Sequence, residues 1–162
     1  MKPIKLILSA FGPYKDQAEI DFEKIGDSGI FLITGDTGSG KTTIFDAISF
    51  ALFGEVSGSN RPVSSLRSNF AEVEKETFVE LVFSHKQKTY KLHRNPPYER
   101  IKKRGEGTTL IDADAWLDFD KETITGHNAV TTKVQEILGI NAKQFKQIAM
   151  LAQRRILKNP IC

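Results

Sequence analysis

Residues 35–42 read Gly35-Asp-Thr-Gly-Ser-Gly-Lys41-Thr42, matching G-x-x-x-x-G-K-[ST] at every fixed position. An apolar run precedes this segment and a helical pattern follows it, so the chain is constrained to a strand, a glycine-rich turn and a helix in succession. The glycines let the backbone curl until successive N–H groups face inward as an anion nest. The helix start adds a partial positive charge and free donors. Lys41 supplies a mobile cation for the β- and γ-phosphates of a nucleotide, and the Thr42 hydroxyl is a hard oxygen ligand suited to magnesium. The expected cofactors are therefore ATP and Mg2+. The cradle comprises Gly35, Asp36, Thr37, Gly38, Ser39, Gly40, Lys41, Thr42 and Thr43; Asp36, Thr37 and Ser39 occupy variable positions and are assigned no side-chain chemistry.

The flanking elements follow from periodicity. Ile4–Ala10 and Gln17–Phe22 alternate as two strands of an antiparallel hairpin, separated by Phe11-Gly-Pro13. After a turn at Asp27-Ser-Gly29, the run Gly29–Thr34 predicts a strand buried on both faces. Lys41–Phe53 predicts a helix, with Ile44, Ile48, Ala51 and Leu52 on one face, Phe45 and Phe53 widening it, and Gly54 as the stop. Ser57–Pro62 reads as a polar loop. Thr77–Phe83, Lys88–His93, Tyr98–Lys103 and Thr108–Leu117 predict a small antiparallel sheet, with a turn at Arg104–Gly107. Thr132-x-x-Gln135 resembles a capping box before Val134, Ile137 and Leu138, with Val130 on the same face; Gly139 ends that helix. Asn141-x-x-Gln144 caps a second helix carrying Phe145, Ile148, Ala149 and Ala152.

The 162 residues suit one domain with a sizeable core. The lone cysteine, Cys162, precludes an internal disulfide, so the cytoplasm is the expected compartment. The formal charge of +3 comes from the tail: without Arg154, Arg155 and Lys158 the 23 basic residues fall to 20, against 20 acidic. Overall charge therefore says little about partners. Among P-loop families, a GTPase would show N-K-x-D, which does not occur. A complete ATPase would show an apolar strand ending in Asp or Glu; Leu110-Ile-Asp112 and Trp116-Leu-Asp118 are too short and too polar in context. Half of the catalytic equipment is missing.

Three blocks agree in order and spacing with one known family: Lys5-Leu-Ile-Leu-Ser-Ala-Phe-Gly-Pro-Tyr14; Phe31-Leu-Ile-Thr-Gly-Asp-Thr-Gly-Ser-Gly-Lys-Thr-Thr-Ile-Phe-Asp-Ala-Ile48; and Ile137-Leu-Gly-Ile-Asn-Ala-Lys-Gln-Phe-Lys-Gln147 with Met150-Leu-Ala-Gln153. Residues 1–153 resemble the N-terminal lobe of SbcC, the ATPase subunit of SbcCD DNA nucleases, whose heads are ABC-type and SMC-like. The resemblance implies an α/β fold: an ABC-type P-loop NTPase half head with a mixed sheet, a small antiparallel β region and two C-terminal helices. It implies Gln153 as the Q-loop glutamine, a magnesium ligand that reaches the attacking water, and Lys41 and Gln153 as the catalytic pair contributed by this lobe. It also implies four partners: the C-terminal lobe of the same protein beyond a long coiled coil, an SbcD-type nuclease subunit, a second head as homodimer, and DNA. Residues 154–162 depart from the family pattern, which continues with Gly, an acidic or amide residue, and Phe. The bacterial form of the loop after the first strand is present, Ala10-Phe-Gly-Pro13, without the arginine of eukaryotic relatives.

The expected function is that of the ATP-binding lobe of a double-strand-break repair and hairpin-processing exonuclease, inactive in hydrolysis by itself. The alternatives are a non-hydrolysing nucleotide-binding or interaction fragment, or a head lobe of a chromosome-structural SMC-type ATPase. The stretch Lys86–Arg104 collects Lys86, Lys88, Lys91, Arg94, Arg100, Lys102, Lys103 and Arg104, with Tyr90 and Tyr98 between them. It reads as a DNA-backbone contact or, favoured, as a solvated hairpin face. Arg67 reads equally as a sensor of nucleotide or partner lobe and as a surface arginine. His85, His93 and His127 lack ligand spacing for zinc, and Trp116 reads as core.

Overall fold

The computed structural model describes residues 1–26, 32–56, 62–102 and 105–149. Its centre is a six-stranded sheet with every pairing antiparallel, in the order β2-β1-β3-β4-β7-β8. The strands are β1 (Lys2–Ser9), β2 (Ala18–Asp21), β3 (Phe78–His85), β4 (Lys88–Asn95), β7 (Asp114–Phe119) and β8 (Glu122–Thr125). A separate pair, β5 (Tyr98–Ile101) and β6 (Thr108–Ile111), forms a small hairpin. Of the middle strands, β3, β4 and β7 therefore extend the first hairpin, only β5 and β6 pair on their own, and 108–117 breaks into two strands around Asp112-Ala113. Both tight hairpins, at Lys86-Gln87 and Asp120-Lys121, have φ between 46° and 69° at their two central residues, the positive values a type I′ turn demands.

Alternation sorts the sheet into two faces. Leu6, Leu8, Val79, Leu81, Phe83, Leu92, Ala115 and Leu117 turn inward and are essentially inaccessible. Against them packs α1 (Lys41–Phe53), in contact with β3 and β4. Ten of its thirteen residues are buried, as expected of a helix apolar on most sides. Phe45 is an exception to the sequence expectation, 40% exposed. Two further helices, α2 (His127–Leu138) and α3 (Ala142–Ala149), flank α1. The Asn141–Gln144 box is reciprocal, each side chain taking the other's backbone N–H at 3.0 Å. The box expected at Thr132 is absent: α2 begins five residues earlier, so Thr132 is interior.

The start of α2 is fixed by a buried arginine. Arg94 has no exposed surface. Its Nε donates to the Ala51 carbonyl in the last turn of α1 at 2.9 Å. Its Nη1 meets His127 Nδ1 at 3.0 Å, and Nη2 donates to Thr131 Oγ1 at 3.1 Å. A cation at a helix C-terminus is favourable, and Arg94 simultaneously ties that end to the first turn of α2. Burial pulls its pKa down to about 10, still far above neutrality.

The strand expected at 29–34 falls partly outside the described residues. Residues 32–34 are irregular and Leu32 is 87% exposed. Among the described residues no strand lies alongside to pair with them, so nothing there organises a ladder or covers Leu32.

Candidate nucleotide-binding site

The glycine-rich segment leads directly into α1. Gly38 and Gly40 take φ of 86° and 90°, a region that L side chains enter only at a cost. Gly40 is the N-cap and no side chain caps the helix, which leaves the first-turn N–H groups free for an external acceptor. The Lys41 ammonium folds back over the loop, donating to the Gly35 and Asp36 carbonyls at 2.6 Å each and reaching Ser39 Oγ at 3.5 Å. These bonds are solvent-exposed, so an incoming polyanion competes for the ammonium at little cost. Thr42 is exposed beside it. Pro13, Thr37, Gly38, Gly40, Lys41, Thr42 and Thr43 line an open cleft of about 380 Å³. The donor set, a lysine, a threonine hydroxyl and unpaired helix N–H groups with glycines where side chains would intrude, fits a nucleotide polyphosphate with magnesium.

A second segment supports this one from behind. Phe11 and Tyr14 exchange backbone hydrogen bonds at 3.0 Å, closing a turn after β1. Gly12 N donates to Leu66 O, and Ser68 N to Ala10 O, both at 2.8 Å. Tyr14 and Pro13 press against Gly40, and Gly12 against Thr43. In the sequence this turn stands out as a break between strands and as part of a family block, with no sign of its contact with α1.

A model of the AAA domain family matches residues 5–160. The chain belongs to the AAA domain family. Among curated relatives it is similar to the C subunits of the SbcCD nucleases of Vibrio cholerae, 42% identical over 94% of this chain and 16% of the relative, and of Lactococcus lactis, 39% identical over 98% and 16%. The Staphylococcus aureus protein of the same name is 41% identical over 94% and 15%. The chain spans about a sixth of the length of these relatives.

In this AAA domain, the remaining site residues fall out as follows. Gln153 lies outside the described residues. Arg67 is held within its own loop: it donates to the Lys75 carbonyl at 2.8 Å, the Glu72 carbonyl at 2.7 Å and the Thr77 hydroxyl, and lies over the Tyr98 ring at 5.2 Å. Those contacts organise residues 67–77.

The basic stretch is less basic than its sequence. Arg94 is the buried strut described above and cannot touch DNA. Lys88 pairs with Asp120, Lys91 with Glu80 at 3.3 Å, and Arg100 with Glu76 at 3.6 Å. Lys86 and Lys102 are exposed, and Lys103 and Arg104 lie outside the described residues. Trp116 is not core. It stands on the outer sheet face, stacked on His93 at 5.3 Å with the Lys91 ammonium over it. No group of three or more potential metal-ligating side chains occurs among the described residues, and no described helix is long and apolar enough to cross a membrane.

Proposed function

We propose that this chain is the ATP-binding lobe of a composite, ABC-type ATPase site in an SbcC-like component of a DNA-processing nuclease. The Lys41 ammonium resting on loop carbonyls, at the mouth of an uncapped α1, carries the reading. When bound, ATP with magnesium supplies the phosphoryl group to be transferred. Lys41 would leave its carbonyl partners to neutralise the β- and γ-phosphates, the first-turn N–H groups would donate to phosphate oxygens, and Thr42 Oγ would be available to the metal. By the family resemblance, Gln153 would be the second metal ligand from this lobe. The signature motif and the base-positioning residue come from a C-terminal lobe and a second head. Through them, hydrolysis gates an SbcD-type nuclease acting on DNA ends and hairpins in the cytoplasm. The similarity to the SbcC components of SbcCD nucleases supports the partner assignment.

Alone, the chain binds nucleotide without turning it over. Titration with a fluorescent ATP analogue and magnesium should show saturable binding that Lys41→Ala removes, with no phosphate release above background. Turnover comparable to an intact head, abolished by Lys41→Ala, would contradict the composite-site reading. The second role of this lobe is to dock against the C-terminal lobe, which would cover exposed apolar residues such as Leu32, Phe45 and Ile148 if they share the docking surface. Light scattering that finds the isolated chain strictly monomeric at high concentration would argue against that surface.

A further inference from the structure

The turn after β1 touches the first turn of α1 at two points. A Cβ on Gly40 would lie 2.9 Å from Tyr14 Oη and 3.0 Å from both Tyr14 Cε2 and Pro13 Cγ. A Cβ on Gly12 would lie 2.8 Å from Thr43 Cγ2. Positions 40 and 43 are three apart and share one side of a helix, so the turn grips a single face of α1. Tyr14 Oη also donates to the Gly40 carbonyl at 3.4 Å, the group that accepts the first backbone bond of the helix. The turn is itself immobilised. Its reciprocal Phe11–Tyr14 bonds, its link to Leu66, and Phe11, buried and 5.8 Å from the Phe50 ring of α1, all hold it.

We propose that Tyr14 is a positioning residue of the phosphate cradle, its ring and hydroxyl holding Gly40 in the left-handed conformation that aims the first N–H groups of α1 into the cleft. Gly40 would otherwise be free in φ, since glycine populates both signs about equally. Tyr14 restrains the N-cap residue through its carbonyl, which leaves the first-turn N–H groups uncapped, where a capping side chain would occupy one of them. A phenol is protonated at neutral pH, and burial raises this one's pKa further above the ordinary value, so the hydroxyl is available as a donor. Tyr14 does not itself line the cleft, and its effect passes through Gly40.

The inference rests on the nucleotide-binding reading, so its test carries one readout that does not. Amide exchange across residues 40–44, read at Ile44, whose N–H makes the first backbone bond of α1 to the Gly40 carbonyl, is followed in the nucleotide-free 162-residue chain, and affinity for a fluorescent ATP analogue with magnesium is measured in parallel. Tyr14→Ala should speed exchange at those amides and weaken nucleotide binding, each by about tenfold, the worth of one lost restraint of hydrogen-bond strength. Tyr14→Phe keeps the ring contact but loses the long 3.4 Å bond to the Gly40 carbonyl, and should show the smaller part of the effect, about threefold on each readout. Val134→Ala, in the core of α2, is the control: it lowers stability while leaving exchange at 40–44 and affinity of the folded chain unaltered. If Tyr14→Ala behaves like that control, the positioning role is refuted. If the unaltered chain binds no nucleotide, the proposed function fails, and exchange at 40–44 still decides the role of Tyr14.

Discussion

Gly54 and Gly139 form a matched pair that isolates the cost of disturbing Arg94. Each follows a helix, each takes a left-handed φ (74° and 70°), and each donates its N–H back to the carbonyl four residues earlier, at 2.7 and 2.8 Å. Replacing either by alanine incurs the same left-handed penalty, about 1–2 kcal/mol. The surroundings differ. A Cβ at Gly139 meets nothing within 4 Å, whereas at Gly54 it would stand 2.7 Å from His127 Cε1, 2.8 Å from His127 Nε2 and 3.1 Å from Arg94 Nη1. Neither neighbour can yield freely, because the imidazole is bonded to the guanidinium and the guanidinium to Ala51 and Thr131. Overpacking of this kind costs about 1–3 kcal/mol. Gly54→Ala should therefore lose roughly 2–5 kcal/mol and Gly139→Ala roughly 1–2 kcal/mol. Urea unfolding followed by circular dichroism measures both. Adding His127→Ala removes the obstructing ring, so its cost in the Gly54→Ala background should be smaller than in wild type by most of the excess. Equal losses for the two glycine variants would refute the claim that the Arg94–His127 contact is rigid.

Three further outcomes follow from the same contacts. Arg94→Lys keeps the charge but cannot span Ala51, His127 and Thr131 together, and should cost about 2–3 kcal/mol in urea unfolding. His127 is held below its ordinary pKa of 6.5, first by burial and then by the Arg94 cation; the unfolded chain thus binds the proton more readily. Its stabilising contribution is complete above pH 6.5 and is lost as pH falls through the lower folded value, so urea midpoints at about pH 7.5 and about pH 5.5 should differ less in His127→Gln than in wild type. Lys41→Ala should remove nucleotide binding while leaving stability in urea within about 0.5 kcal/mol of wild type, because its bonds are exposed.

What the sequence made legible was local. The bounds of α1 come from a glycine-rich start, a continuous helical period and Gly54, all close together in the chain, and they match the observed helix. The β1–β2 hairpin and the Asn141–Gln144 box were readable for the same reason. What it hid depends on distant contacts. The true start of α2 is set by His127 and Thr131 reaching Arg94, 33 and 37 residues away, whereas Thr-x-x-Gln at 132 is a short pattern with nothing to enforce it. Strand β8 follows an Asp120-Lys121 turn without glycine, so the usual hairpin signal is missing. Two errors had an available remedy. Tyr90, Leu92 and Arg94 alternate on one side of β4, which places Arg94 inside with its neighbours. Ala115 and Leu117 on β7 likewise place Trp116 outside. Reading the stretch for charge overrode reading it for period. The role of Tyr14 has no signature in spacing at all, since it depends on where residues 12–14 meet α1 in space.

The contacts at the two ends of α1 also bear on how the cradle is able to move. At its N-terminal end α1 is held by the turn following β1, through Gly40 and Thr43. At its C-terminal end it is held by Arg94 from β4, which carries the start of α2 with it. Between them Phe50, Ala51 and Leu52 have no exposed surface against the sheet. Sliding α1 alone would break bonds at both ends and open voids in a close-packed core, each large-to-small equivalent costing about 2–5 kcal/mol. A nucleotide that draws the glycine-rich loop inward has no such barrier to moving Lys41, whose bonds face solvent. On the proposed nucleotide-binding reading, these contacts predict that adjustment is confined to the loop and the Lys41 side chain, while α1, the sheet and α2 shift as one body. Whatever a bound nucleotide transmits through this lobe must leave by that body's displacement or by the loop itself.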